Sequence, residues 1–230
     1  MASLIRRSLF LLAALALTAP AWGQSAAVDV QRLLPPPPAA GSPGAHAELD
    51  ELHHLQAAST PEQLTAAAYD DIHEDGTIFT GVLGPAFDME KLPATKALLA
   101  EIGKGEEDIT KGPKAFFHRD RPWIVDPTIK TCTPHKPGPA TTSYPSGHAT
   151  VGFAMAEVMA ALVPDKAQDL LARATLFAEN RLVCGYHFRS DIVTGQELGT
   201  VLALQLMAQP AFKTKMAVAQ RELRTRNVIP

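Results

Sequence analysis

Residues 143–162, SYPSGHATVGFAMAEVMAAL, carry the reading that decides the fold. Pro145 closes a loop, Ser146 is a capping residue type, and Val151, Met155, Val158 and Leu162 recur at helical spacing. A helix therefore begins near Ser146 and covers about 148–162. Its N-terminus presents free N–H groups and a partial positive charge, and Gly147 lets a ligand come close to the backbone. Such a turn suits an anion, although Ser146 as a plain cap beside a surface His148 is also compatible with the pattern.

Helical signals recur on both sides. Thr60-Pro61-Glu62 supplies a cap and a first-turn proline ahead of Leu64, Ala67 and Ala68, and further helices are predicted over about 94–103, 106–118, 165–183, 188–208 and 210–225. Strand alternation is almost absent, and Gly76, Gly81, Gly84, Pro93, Gly112, Pro164 and Pro210 mark the joins. The expected architecture is all-α, a single-domain helical bundle. Residues 122–145, with five prolines after Pro122, read as one long loop between two polar clusters.

The ends differ in composition from the body. Arg6 and Arg7, the apolar run from Ser8 to Ala19, and the small residues around Ala21-Trp22-Gly23 read as a secretory signal over residues 1–23, with cleavage before Gln24. The run is short of the ~20 residues that span a bilayer. No membrane association is expected after cleavage. Residues 24–45, with Pro35 to Pro38, read as a Pro-rich flexible arm, with wrapping over the body as the alternative at its C-terminal end, and 46–230 as the folded domain. Removing the signal moves the formal charge from −3 to −5, which gives no footprint for nucleic acid. Cys132 and Cys184 are a disulfide candidate in an oxidising compartment. His46, His53 and His54 read as a polar surface, and no metal site is expected.

Two more clusters flank the central helix. Lys114, Arg119, Arg121 and Pro122 lie at the end of a predicted helix holding Phe116 and Phe117; Lys114 and Arg121 share a face if that helix persists, and a solvated basic face is the plainer reading. Arg181, His187 and Asp191 form the third cluster, where a gap of four puts His187 and Asp191 on one face if the helix starts by residue 187. A carboxylate beside an imidazole fixes its tautomer and leaves the other ring nitrogen free to attack an electrophile. Together the clusters supply two histidines, three separated cations, a hydroxyl and a helix terminus, which match the charge of a phosphoryl group in transfer.

The three clusters resemble the signature of the type 2 phosphatidic acid phosphatase superfamily, which includes the vanadium haloperoxidases. Lys114, six residues and Arg121-Pro122 form the first block, Pro145-Ser146-Gly147-His148 the second, and Arg181, His187 and Asp191 the third. Within the superfamily, residues 143–148 and 181–187 are similar to the bacterial class A non-specific acid phosphatases. The resemblance implies a periplasmic enzyme in which His187 is the nucleophile, Asp191 orients it, and His148 is general acid and then base. Lys114, Arg121, Ser146, Gly147 and Arg181 would hold the phosphate.

It further implies hydrolysis of small-molecule phosphate monoesters without a cofactor, with vanadate as an inhibitor. The family serine before the third-block arginine is Asn180 here. A vanadate-dependent haloperoxidase, disfavoured by the short chain, and a catalytically weak phosphate-binding module are the alternatives. Tyr144, Phe117, Phe153 and the long loop are the candidates for the leaving-group wall, and the 210–225 segment suits a homo-oligomer contact or a core equally.

Overall fold

The computed structural model describes residues 30–134 and 140–230. The expected signal over 1–23 lies outside them. In chain order the described helices are α1 (Val30–Leu33), α2 (Pro43–Ala58), α3 (Pro61–Ile72), α4 (Thr80–Leu83), α5 (Pro93–Phe117), α6 (Pro122–Val125), α7 (Gly147–Leu162), α8 (Ala167–Val183), α9 (Arg189–Ala208) and α10 (Pro210–Thr225). Tight 3-10 turns cover Gly76–Phe79 and Pro164–Lys166. No strand occurs among the described residues, and the fold is all-α. Among the same residues no helix is long and apolar enough to cross a membrane.

The bundle is built around α7, which is buried along most of its length and leaves only a stripe through Phe153, Glu157, Ala160 and Ala161 less enclosed. A helix that is largely apolar around its circumference packs against neighbours on several sides. α8 and α9 pack along it, α5 closes a further side, and α10 backs α5 and α9. Small residues set the α7–α9 spacing: a Cβ at Gly199 would stand 2.5 Å from the Thr150 carbonyl oxygen and 2.8 Å from Phe153 Cβ. The main core, including Phe79, Phe87, Ile102, Met155, Met159 and Phe177, fills the end of the bundle away from Ser146.

Local chemistry starts these helices where the chain needs them. Ser146 Oγ accepts from Ala149 N at 3.3 Å, so α7 begins directly after Pro145. Thr60 and Gln63 form a reciprocal cap, with Thr60 N donating to Gln63 Oε1 at 2.8 Å and Gln63 N to Thr60 Oγ1 at 3.3 Å. Ser146 N donates to the Asp191 carbonyl oxygen at 3.0 Å, which ties the start of α7 to the first turn of α9.

The structure departs from the sequence expectations in four places. The segments expected at 94–103 and 106–118 are one continuous helix, α5. Its buried stripe passes from Thr95, Leu98, Leu99 and Ile102 to Glu106, Thr110 and Pro113, so polar residues disguise its second half. A further helix, α2, spans Pro43–Ala58, capped by Ser42, where only an arm and the edge of the domain were expected. The long loop contains the four-residue α6. From Val30 onward the Pro-rich segment lies on the body instead of standing free: Leu34 is buried with Tyr144 and Leu198, and Tyr144 Oη donates to the Pro35 carbonyl oxygen.

Cys132 and Cys184 form a disulfide with Cα atoms 4.8 Å apart, across a sequence separation of 52. It fastens the long loop to the end of α8, three residues before His187. A loop of that length is worth about 4 kcal/mol in the chain-entropy account.

Two Gly-to-Ala substitutions should move stability in opposite directions. Gly199→Ala forces α9 off α7 and is expected to destabilise by about 1–3 kcal/mol. Gly103→Ala meets open space within α5 and is expected to stabilise by about 0.5–1 kcal/mol. Denaturant unfolding of both variants checks the pair.

Candidate active site

The three polar clusters meet at the N-terminus of α7. His187 sits just before α9, with Phe188 as the helix N-cap and Asp191 in the first turn. The pair is therefore not stacked on one helical face. Asp191 reaches back past the helix start, accepting from Phe188 N at 2.9 Å and meeting His187 Nδ1 at 3.4 Å. That contact leaves the proton on Nδ1 and a lone pair on Nε2, to which Arg121 Nη1 donates at 2.7 Å.

Arg121 is not on the α5 face that carries Lys114. α5 ends at Phe117, followed by His118 at φ 50°, and Arg121 is the N-cap of α6. Its backbone N donates to the Ala140 carbonyl oxygen at 2.8 Å and its Nη1 to the Tyr186 carbonyl oxygen at 2.9 Å. Two elements thus deliver the two cations. Lys114 Nζ comes to the first residue of α7, where a Cβ at Gly147 would lie 3.1 Å from it.

Arg181, in the last turn of α8, is 3% exposed. Nη1 donates to Asp71 Oδ1, and the guanidinium lies 4.5 Å from the Tyr186 ring centroid. Its Nε is buried with no hydrogen-bond partner among the described residues. A buried guanidinium N–H left unpaired is suited to an anion that would complete it.

His148 stands in the first turn of α7, its ring 5.5 Å from Phe177. Nδ1 is 3.0 Å from Glu74 Oε1, and Nε2 is 3.3 Å from the Asp71 carbonyl oxygen. Acceptors on both nitrogens suit an imidazolium. Ser146 is fully buried, with Oγ used as an acceptor in the cap, so its O–H remains to donate. Among the described residues no three His, Cys, Asp or Glu side chains gather into a metal-holding group.

The PAP2 superfamily profile matches residues 97–215, more than half of the chain and all three clusters. The chain belongs to the PAP2 superfamily. This PAP2 chain is 29% identical to the non-specific acid phosphatase of Salmonella typhimurium over 206 residues, 87% of this chain and 82% of the relative. It is 30% identical to the acid phosphatase of Zymomonas mobilis over 194 residues, 83% of this chain and 74% of the relative. Among solved structures, that of Aquifex aeolicus LpxE superimposes with a TM-score of 0.53 at 20% identity, over 69% of this chain and 93% of the other. That likeness concerns the fold.

Electrostatics within the PAP2 site favour an uncharged His187. Burial comes first, and Arg121, Arg181, His148 and Lys114 add to it, holding the imidazole well below its ordinary value of 6.5. Those four groups act on one ring because the fold brings them around it. Burial, then Arg181, also lowers His148, with Glu74 and Asp71 acting in the opposite direction. Burial lowers Lys114 against the pull of Glu106, and lowers Arg121 to about 10 against the pull of Asp191.

Several contributors escaped the sequence reading. Arg119, noted as one more cation, clamps Asp191: Nη1 donates to Asp191 Oδ1 at 2.5 Å, and Nη2 donates to Glu48 Oε2 at 2.6 Å. Glu48, on α2, also accepts from Ser190 N at 2.7 Å. Ser143 Oγ donates to Asp191 Oδ2 at 2.6 Å. Asp71, Glu74 and Glu106 line the site with carboxylates. Only Glu106 left a local signal, since 106, 110 and 114 share one face of α5. Asn180, in place of the family serine, is buried and donates from Nδ2 to Asp70 Oδ2 at 2.7 Å, so it braces α8 against α3.

The aromatic candidates for a leaving-group wall are structural. Tyr144 is 1% exposed and its Oη lies 3.0 Å from the Thr194 hydroxyl, Phe117 packs edge-on against it at 4.8 Å, and Phe153 faces the core and α9. A cleft of about 500 Å³ lies beside Lys114 instead, lined by Glu106, Thr110, His118, Thr141 and Thr142.

Arg119→Met should leave Asp191 buried with one acceptor unpaired. Removing one partner of a buried ion pair costs about 3–5 kcal/mol, and both side chains are at least nine-tenths enclosed. Urea unfolding of the variant is expected to show a loss of that size, together with reduced turnover.

Proposed function

We propose that the chain is an exported, periplasmic acid phosphatase that hydrolyses soluble phosphate monoesters through a phosphohistidine at His187, without a metal ion. Residues 1–23 act as the signal, and the remainder is one catalytic domain preceded by a Pro-rich segment. The buried Nε of Arg181, without a hydrogen-bond partner among the described residues, in a guanidinium whose charge acts on His187, is the observation that carries this reading. The acid phosphatases named above support the reaction class.

The terminal phosphoryl group lies over the N-terminus of α7, with Lys114, Arg121, Arg181, Ser146 Oγ and the Gly147 N–H around its oxygens. Its arrival takes the Arg121 guanidinium off His187 Nε2. The freed lone pair attacks phosphorus in line. Asp191 holds the Nδ1 proton and stabilises the positive charge that grows on the ring. The P–O ester bond breaks, and the leaving oxygen takes its proton from His148. The charge of the bound phosphoryl group favours the protonated form of His148 that this step needs.

Neutral His148 next removes a proton from water as the water attacks phosphorus. The P–N bond breaks, inorganic phosphate forms, and both histidines return to their starting states. Three fixed cations supply most of the stabilisation, because phosphoryl transfer depends chiefly on positioning and charge. The 500 Å³ cleft beside Lys114 receives the leaving group. Vanadate, which imitates the five-coordinate phosphorus, is expected to inhibit.

Hydrolysis of a chromogenic phosphate monoester from pH 4 to 8, with chelator present, tests the proposal against His187→Ala. Turnover that resists chelator and falls at least 10³-fold in the variant is the expected outcome. Turnover that survives in His187→Ala removes His187 as nucleophile, and its absence in the intact protein at every pH removes the phosphatase.

A further inference from the structure

Glu106 is a buried carboxyl that the mechanism above leaves unused. It projects from α5, its side chain 11% exposed, and Thr110 Oγ1 donates to its Oε1 at 3.0 Å. The same oxygen is 3.7 Å from Lys114 Nζ, and a Cβ at Gly147 would meet it at 2.5 Å. Glu106 Oε1 therefore stands over the first residue of α7, on ground that a phosphoryl oxygen bound to Gly147 N–H and Lys114 would share. A carboxylate and a phosphate dianion repel there. A carboxylic acid instead brings an O–H donor to a phosphate oxygen.

We propose that Glu106 is a proton-operated member of the phosphate cradle: as an acid it donates a hydrogen bond to a phosphoryl oxygen, and as a carboxylate it holds Lys114 and shuts phosphate out. The inference rests on the reading of the site as a phosphate site. Its surroundings suit the role. Burial, the largest influence, raises Glu106 above its ordinary 4.5, and Lys114 opposes. Glu74, from the loop after α3, and Glu107, on α5 itself, add to the rise, while the Thr110 hydroxyl opposes it. Across the site Glu74 is bound to His148 of α7, and Arg121 acts on Lys114. Lys111 and His118 line the adjoining cleft.

Because folded Glu106 keeps its proton above pH 4.5, binding that needs this proton is complete in acid and declines as pH rises through the raised value. Above that value, affinity falls by up to about tenfold per pH unit for one linked proton. An acidic preference would thus arise in binding, separately from the two histidines.

Calorimetric titration of inorganic phosphate into the full chain and into Glu106→Gln, from pH 5 to 8, tests this. The amide donates at every pH, and the second ionisation of phosphate is common to both proteins. At pH 8 the variant is expected to bind phosphate at least about tenfold more tightly than the wild type, with the two converging in acid. Thr110→Val removes the hydroxyl that favours the carboxylate, and should carry tight binding to higher pH than in the wild type. Glu107→Gln, one residue away and exposed, removes only the last and smallest of the influences on Glu106 and should shift the profile far less than Glu106→Gln.

Parallel profiles for the wild type and Glu106→Gln overturn the inference and leave the phosphatase reading standing. An equal shift in Glu107→Gln overturns it too, by reducing the effect to net charge. Should Glu106→Gln fail to fold, an unchanged or acid-shifted profile in Thr110→Val overturns it. Absence of phosphate binding by the wild type at every pH removes both readings.

Discussion

Asp191 has no contact with water, and a carboxylate in that position must draw every hydrogen bond from the protein. Arg119 and Ser143 supply two, the Phe188 amide a third, and His187 Nδ1 completes the set. These donors come from the α5–α6 connection, the residues before α7 and the start of α9. Satisfying one carboxylate therefore fixes the mutual positions of three segments, and with them the orientation of the imidazole. Glu48 of α2 extends the same network through Arg119 and the Ser190 amide. The site is held by a buried polar network that is stable only when every member is paired.

Around that anchor the site balances charge without neutralising it. Lys114, Arg121 and Arg181 converge on His187, and Glu106, Glu74 and Asp71 stand beside the cations and His148. The carboxylates make it possible to enclose several cations in one place, where like charges would otherwise force them apart or strip their protons. They also mean that an incoming anion competes with groups already present. On the proposed reading, catalysis and acid preference are two aspects of one arrangement, because protons decide which anion the cations hold.

Much of this was legible in the sequence, for identifiable reasons. α7 announces itself through Pro145, the Ser146 cap and an apolar run, and α10 begins at a first-turn proline, so both lie where local chemistry puts them. The candidate catalytic residues could be named because their spacing follows a family pattern. What local pattern could not give was partnership. The His187–Asp191 contact was expected from helical spacing, yet it arises from a side chain reaching back across a helix start. α5 was read as two helices because Gly103, Gly105, Gly112 and Pro113 are weak helix formers, and Glu106 and Thr110 interrupt its apolar stripe. Arg119, Glu48, Glu74 and Asp71 act through contacts dozens of residues away in sequence. Tyr144 was misassigned to a substrate wall because residue type alone does not say whether an aromatic ring faces a ligand or a core.

The central claim is that His187 carries the phosphoryl group between substrate and water. The most direct measurement is rapid mixing with excess monoester, a quench into alkali within milliseconds, and mass analysis of the peptides. The account predicts a phosphate on the peptide containing His187 that survives alkali, is lost in acid, and fails to appear in His187→Ala. Phosphate on another residue, or a burst of product from a chain that stays unmodified throughout, would contradict it.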